Sequence, residues 1–126
     1  MENEQKMRVM ADMSVTVLHH GHIHLLKKAK LLGTVVVALT KDEEIRDCKG
    51  FNSFLKYNHR KEILESIKYV DEVVPSDWLI TEDFLDLHNC DILIHGDDNS
   101  NPIPENRLHI IPKIPNISSS MIRKDS

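Results

Sequence analysis

The sequence has few cysteines, and Cys48 and Cys90 stand far apart without the spacing of a metal-ligand pair. They read as buried or idle thiols of a reducing compartment. No run approaches the ~18 apolar residues that a membrane span needs. The opening MENEQKMR is polar and mixed in charge, without the apolar core of a signal peptide. A cytoplasmic soluble protein is the expectation. No internal repeat or low-complexity linker interrupts the chain. Basic excess is also missing: Lys plus Arg is 16 against 20 for Asp plus Glu, a formal net charge of −4. That argues against a general affinity for nucleic acid or an anionic membrane, but leaves room for a small anionic ligand in a local cationic pocket.

What is present is ordinary globular composition, with 29% charged and 40% hydrophobic residues in 126. One domain over residues 1–126 follows, large enough to bury roughly two-thirds of its unfolded surface. The feature to explain is histidine. The chain carries 8, and His19, His20, His22 and His24 fall within one short stretch.

Apolar runs alternate with amphipathic segments. Arg8–Ala11 reads as a buried strand, followed by a turn at Asp12-Met13-Ser14. His22–Leu32 has Ile23, Leu25, Leu26, Ala29 and Leu32 at helical spacing, with lysines opposite and Gly33 as the cap beyond it. Thr34–Thr40 is a continuous β-branched run, the pattern of a strand buried on both faces. Lys41–Leu55 reads as a functional loop with a helical turn in it. Helices follow at Tyr57–Ile67 and Thr81–His88, with strands at Glu72–Val74 (closed by Pro75), Asp91–His95 and Leu108–Ile111. Ser118–Lys124 opens a last helix with serines at its capping positions. The alternation predicts an α/β fold, a mostly parallel five-stranded sheet with helices on both faces. In such sheets ligands lie beyond the carboxyl ends of the strands.

His19-His20-Gly21-His22 falls at such an end, between the first strand and the first helix. Three readings compete. Histidines in a polar turn can simply be solvated. They can hold a metal, but that needs three or four convergent ligands, and neither a cysteine nor an H-E-x-x-H spacing joins them. Or they can bind phosphate, because a helix N-terminus offers backbone N–H groups and a positive dipole end, and Gly21 lets backbone approach a ligand.

The surroundings favour phosphate. His19-His20-Gly21-His22 resembles the HxGH signature of the nucleotidyltransferase superfamily that contains the cytidylyltransferases. Ile117-Ser118-Ser119-Ser120-Met121-Ile122 resembles its second signature, of the ISTTxI type. The likeness continues through Leu25–Asp42, through YNHRKEILESIKYVDEVVP at Tyr57–Pro75, and at Gly96-Asp97-Asp98. Small glycerol-3-phosphate cytidylyltransferases and the cytidylyltransferase domains of phosphonate pathways are similar along nearly the whole chain.

The resemblance implies a Rossmann-like nucleotidyltransferase fold and a set of roles. His19 and His22 would contact the triphosphate and stabilise the transition state, with Lys49 reaching both the nucleotide and the acceptor. Met13, Ser14, Gly21, Arg60, Asp97, Asp98, Lys113, Ser118, Ser119 and Ser120 would bind nucleotide. Thr16, Lys49, Lys68 and Trp78 would face the acceptor. No residue is assigned as a metal ligand, since Mg²⁺ would arrive mainly on the phosphates of CTP. A homodimer is implied as well. The sequence departs from the family where the turn's usual G-T-F-D becomes Met13-Ser14-Val15-Thr16, so that Thr16 replaces an acidic residue. Phe51 and Lys68 stand at places where basic residues, the latter an arginine, are common; Lys113 replaces an arginine and Asn116 a glycine. The expected reaction is transfer of CMP from CTP to a small phosphorylated or phosphonylated alcohol with release of pyrophosphate. Adenylyl transfer, a catalytically degenerate nucleotide-binding protein and a histidine-cluster metal protein are the alternatives.

Overall fold

Strand β1 (Met7–Met13) lies at the centre of a five-stranded sheet in the order β3-β2-β1-β4-β5. The computed structural model describes residues 7–15, 18–96 and 99–112. In chain order β1 is followed by α1 (His20–Leu32), β2 (Gly33–Thr40), α2 (Asp42–Lys49), α3 (Tyr57–Glu65) and β3 (Glu72–Ser76). Then come α4 (Glu82–Leu87), β4 (Ile92–Gly96), a single 3₁₀ turn at Glu105–Arg107 and β5 (Leu108–Ile111). Every strand pairing is parallel.

The sheet is covered on both faces, as expected. Val9, Ala11, Val35, Val37, Leu39 and Ile94 point to one side and meet Leu26 and Ala29 of α1 and Leu64 of α3. Met10, Val36, Ala38, Val74 and Leu93 point to the other and meet Ile80, Leu85 of α4 and Cys90. The split follows from crossover handedness. The connections β1-α1-β2 and β2-α3-β3 step outward in one direction and lay their helices on one face. From β3 the chain returns past β1 to β4, so the same right-handed rule puts α4 on the opposite face. The reversal creates a switch point at the carboxyl ends of β1 and β4, where ligands of open α/β sheets bind.

One local expectation holds and two change. Gly33 is the C-cap of α1, its N–H donating to the Ala29 carbonyl, but its φ of 163° is extended and it also begins β2. Glycine is needed there because a Cβ would lie 1.9 Å from the Met7 carbonyl oxygen of the neighbouring strand. Pro75 does not close β3, which runs on to Ser76. An edge strand tolerates proline, since the missing N–H can face away from the ladder. The segment after β2 opens with a full helix rather than a single helical turn, and the loop follows it. Asp42, Glu43 and Glu44 occupy the first turn of α2, and Gly50 ends it at φ 78°. The final helix expected from Ser118 lies outside the described residues. Among the described residues no helix is long and apolar enough to cross a membrane.

Candidate active site

Helix α1 begins two residues earlier than hydrophobic spacing suggests, because two histidines supply its cap. His19 is the N-cap, with extended backbone (φ −144°, ψ 177°). Its Nδ1 accepts the N–H of Gly21 at 3.0 Å. In return, Nδ1 of His22 accepts the backbone N–H of His19 at 3.1 Å. This is the reciprocal arrangement that Ser or Thr and Glu usually make. It accounts for the whole His-x-Gly-His spacing. A Cβ on residue 21 would stand 2.8 Å from Cε1 of His19, so only glycine lets that imidazole fold back onto the helix.

The cap also sets the chemistry of both rings. A nitrogen that accepts a backbone N–H carries no proton, so the proton of each neutral imidazole sits on Nε2. The rings lie 4.2 Å apart, tilted by 41°. Burial, then the neighbouring His19 and Lys49 charges, push the His22 pKa down to about 4. His22 is therefore neutral near pH 7, a fixed Nε2–H donor at a helix N-terminus. His20 is exposed and takes no part in the cap.

Lys49 is the last residue of α2, and its ammonium lies 5.8 Å from the centre of the Trp78 ring. That is within the range of a cation–π contact. Trp78 follows β3, and its backbone N–H donates to Glu44 Oε1 of α2 at 2.8 Å. Lys41 pairs with Asp77 at 2.8 Å across the same junction. Lys49, Trp78, His19 and His22 thus share the carboxyl end of the sheet.

Two residues lie differently from the sequence expectation. Arg60 is completely buried. Its Nε–H donates to the Leu55 carbonyl at 3.1 Å, and Nη1 donates to those of Ser14 (2.7 Å) and Thr40 (2.9 Å). Its Nη2 donates to Asp42 Oδ1 at 2.6 Å. A guanidinium spent in this way has no fork left for a phosphate. Lys68 follows α3 at the opposite end of the sheet, where its ammonium lies 5.4 Å from the Tyr69 ring. Nearby, Asp71 bonds both backbone groups of Val35 near the start of β2. Within this chain Lys68 is separated from the histidines by the length of the strands.

Met13 packs its side chain in the core, and its carbonyl accepts the Thr40 hydroxyl at 3.3 Å. Ser14 presents its carbonyl to Arg60. Any role of this turn in binding therefore runs through backbone at Met13, and through backbone or hydroxyl at Ser14. Thr16, Asp97, Asp98, Lys113, Ser118, Ser119 and Ser120 lie outside the described residues.

One polar cluster was not read from the sequence. Asp12 Oδ1 meets His95 Nδ1 at 2.5 Å, and Asp12 Oδ2 accepts from Asn101 Nδ2 at 3.2 Å. Asn101 Oδ1 in turn accepts the Ile80 N–H at 2.7 Å. Ala11 pairs with Ile94, so Asp12 and His95 are the next neighbours on β1 and β4, at the switch point. The available signal was a carboxylate near the end of an otherwise apolar strand. Among the described residues no group of three or more His, Cys, Asp or Glu could hold a metal ion.

A parallel sheet with a switch point, and a helix whose N-terminus is capped by His-x-Gly-His, define a nucleotidyltransferase-type site. Comparison with known proteins agrees. The Cytidylyltransferase-like family matches residues 17–125, and the chain belongs to that family. It is 44% identical over 84 residues to the glycerol-3-phosphate cytidylyltransferase of Bacillus subtilis (strain 168), covering 65% of this chain and 64% of that enzyme. The chain thus spans less than two-thirds of that relative's length. It is 33% identical over 125 residues to the FAD synthase of Thermococcus sibiricus (strain DSM 12597 / MM 739), covering 98% of this chain and 83% of that one. The lipopolysaccharide core biosynthesis protein from Thermoplasma volcanium GSS1 has a similar structure. Its TM-score is 0.70 at 25% sequence identity, covering 87% of this chain and 98% of that chain.

Proposed function

We propose that the protein transfers CMP from CTP to a small phosphorylated or phosphonylated alcohol of the glycerol-3-phosphate kind. The observation that carries this reading is the pair of capped histidines, each with its Nε2–H free of the cap and fixed by the fold. An acceptor phosphate oxygen attacks the α-phosphorus of CTP in line. The new P–O bond forms as the bond to the β-phosphate oxygen breaks, and pyrophosphate leaves. A phosphate acceptor is already anionic at neutral pH, so no general base is required. His19 and His22 donate to the oxygens on which charge grows, and Lys49 adds positive charge beside them. Holding the reactants in line is the other contribution of the protein. Mg²⁺ would enter with the phosphates of CTP. A homodimer and a cytoplasmic location belong to the same reading.

A pyrophosphate-release screen tests this. It sets four nucleoside triphosphates against glycerol phosphate, phosphocholine, phosphoethanolamine, hydroxyethylphosphonate and sugar phosphates. Release with CTP and one phosphorylated acceptor is expected. CTP binding without release for any acceptor would mark a degenerate binding protein. A second reading, adenylyl transfer, draws on the likeness to an FAD synthase over 98% of the chain. A larger melting shift with ATP than with CTP would favour it.

A further inference from the structure

Arg60 heads the large side chains that are fully buried, yet it carries a charge. An apolar side chain of similar volume would fill such a position at least as favourably, because burying an ion pair gains little net stability. What the guanidinium does, and an apolar group cannot, is fasten four separate places. They are the Ser14 carbonyl after β1, the Thr40 carbonyl at the end of β2, the Leu55 carbonyl before α3, and Asp42 at the start of α2. Asp42 also accepts the Tyr57 N–H at 3.1 Å, which closes the loop from α2 to α3.

Two of these attachments reach the site. No peptide bond among the described residues is cis. The Ser14–Val15 unit is therefore trans, and with its carbonyl on Arg60 its N–H points the other way. Val15 is held at φ 53°, a left-handed conformation that a β-branched residue adopts only under constraint. The Asp42 attachment fixes one end of α2, and the other end carries Lys49. Because α2 is a continuous helix, the end held by Arg60 is rigidly joined to the end that carries Lys49.

We propose that Arg60 is a positioning residue for the transfer reaction: it holds the Ser14–Val15 peptide and helix α2, and through α2 it places Lys49 beside His22. The turnover part of this inference rests on the proposed function, whereas the placement of Lys49 is measurable without it. Arg60→Lys is the first variant. Asp42→Asn is the second, should the first fail to fold; it spares the three carbonyl contacts. Each is made with and without Lys49→Met. In the free protein the His22 imidazole is titrated by NMR. Lys49→Met alone is expected to raise the His22 midpoint by roughly 0.5 pH unit through loss of a neighbouring cation. A folded Arg60→Lys or Asp42→Asn should raise it similarly, with no further rise when Lys49→Met is added. Turnover should fall roughly 10- to 100-fold in kcat with a smaller change in the KM for CTP, as for a misplaced catalytic group. An unchanged His22 midpoint in a folded variant overturns the proposal, whatever happens to turnover. A parent that releases no pyrophosphate with any acceptor counts against the proposed function instead, and the NMR titration then decides the positioning role alone.

Discussion

His19 and His22 cap each other: the backbone N–H of His19 donates to Nδ1 of His22 at 3.1 Å, while Nδ1 of His19 accepts the N–H of Gly21 at 3.0 Å. The same contacts start a helix and fix which ring nitrogen carries the proton. Helix capping uses Nδ1 of both rings and leaves Nε2 for the proposed phosphate chemistry, so substitution can separate the two.

Asparagine is as good an N-cap as aspartate or serine, but it has no group in the place of an imidazole Nε2–H. His19→Asn should melt within a few degrees of the parent. Its pyrophosphate release should fall by about 10²–10³-fold, the usual cost of losing one oxyanion donor. Calorimetry and a continuous pyrophosphate assay check this. A variant that loses activity only in proportion to its folded fraction would contradict it.

Gly21→Ala displaces the His19 ring and so disturbs both roles at once. Replacing a helical glycine by alanine gains up to about 1 kcal/mol, but losing the His19 cap on the residue 21 N–H costs about 0.5–2 kcal/mol, so the net change in stability should be small. The new Cβ would meet Cε1 of His19 at 2.8 Å and displace that ring. Activity should drop while the melting temperature holds, and steady-state kinetics beside thermal melts measure both.

Stability should depend on pH through His22. Its folded pKa is about 4, below the ordinary value of 6.5. Between those values the unfolded chain binds a proton that the folded protein refuses. The contribution is therefore fully present above 6.5 and is lost as the pH falls towards 4. Asp42 adds a loss at lower pH. Burial pushes its carboxyl up, but the Tyr57 N–H and the Arg60 guanidinium outweigh burial and leave it lowered overall. Urea denaturation from pH 7 to pH 4 should show a declining midpoint, with a shallower decline in His22→Gln.

Asp12→Ala should destabilise the fold. It removes one partner of His95 Nδ1 and one acceptor of Asn101 Nδ2, which also donates to Asn99 Oδ1. A cost of about 0.5–1.5 kcal/mol is expected for each hydrogen bond lost, and more where the partner is charged. The midpoint of a denaturant curve reads it directly. Asp12→Ala combined with Asn101→Ala should cost less than the sum of the two single changes, because they share one network.

Local pattern carried most of the fold. The β-branched run at Thr34–Thr40 and the spacing of Leu26 and Ala29 are consequences of strand and helix geometry, which is periodic along the chain. The His19–His22 spacing is legible as a motif, but its capping role is not, because apolar periodicity starts the helix only at His22. The roles of Arg60 and Lys68 were not legible in this way. Both sit in one segment with a family-like pattern. Arg60 is drawn inward because carbonyls from Ser14, Thr40 and Leu55 converge on it. Lys68 is carried to the other end of the sheet because α3 runs back along the strands. The pairing of Asp12 with His95 joins positions 83 residues apart in the chain.

The sequence by itself determined the order of elements, the apolar faces and the self-capping histidine turn, all set by interactions within a few residues. Tertiary structure alone decided which cations stand at the carboxyl end of the sheet. It also decided that Arg60 is a buried clasp and that Asp12, His95 and Asn101 share a network at the switch point. Those outcomes depend on which strands become neighbours and which face each crossover takes. They follow from chain topology and packing, which no short stretch of residues encodes.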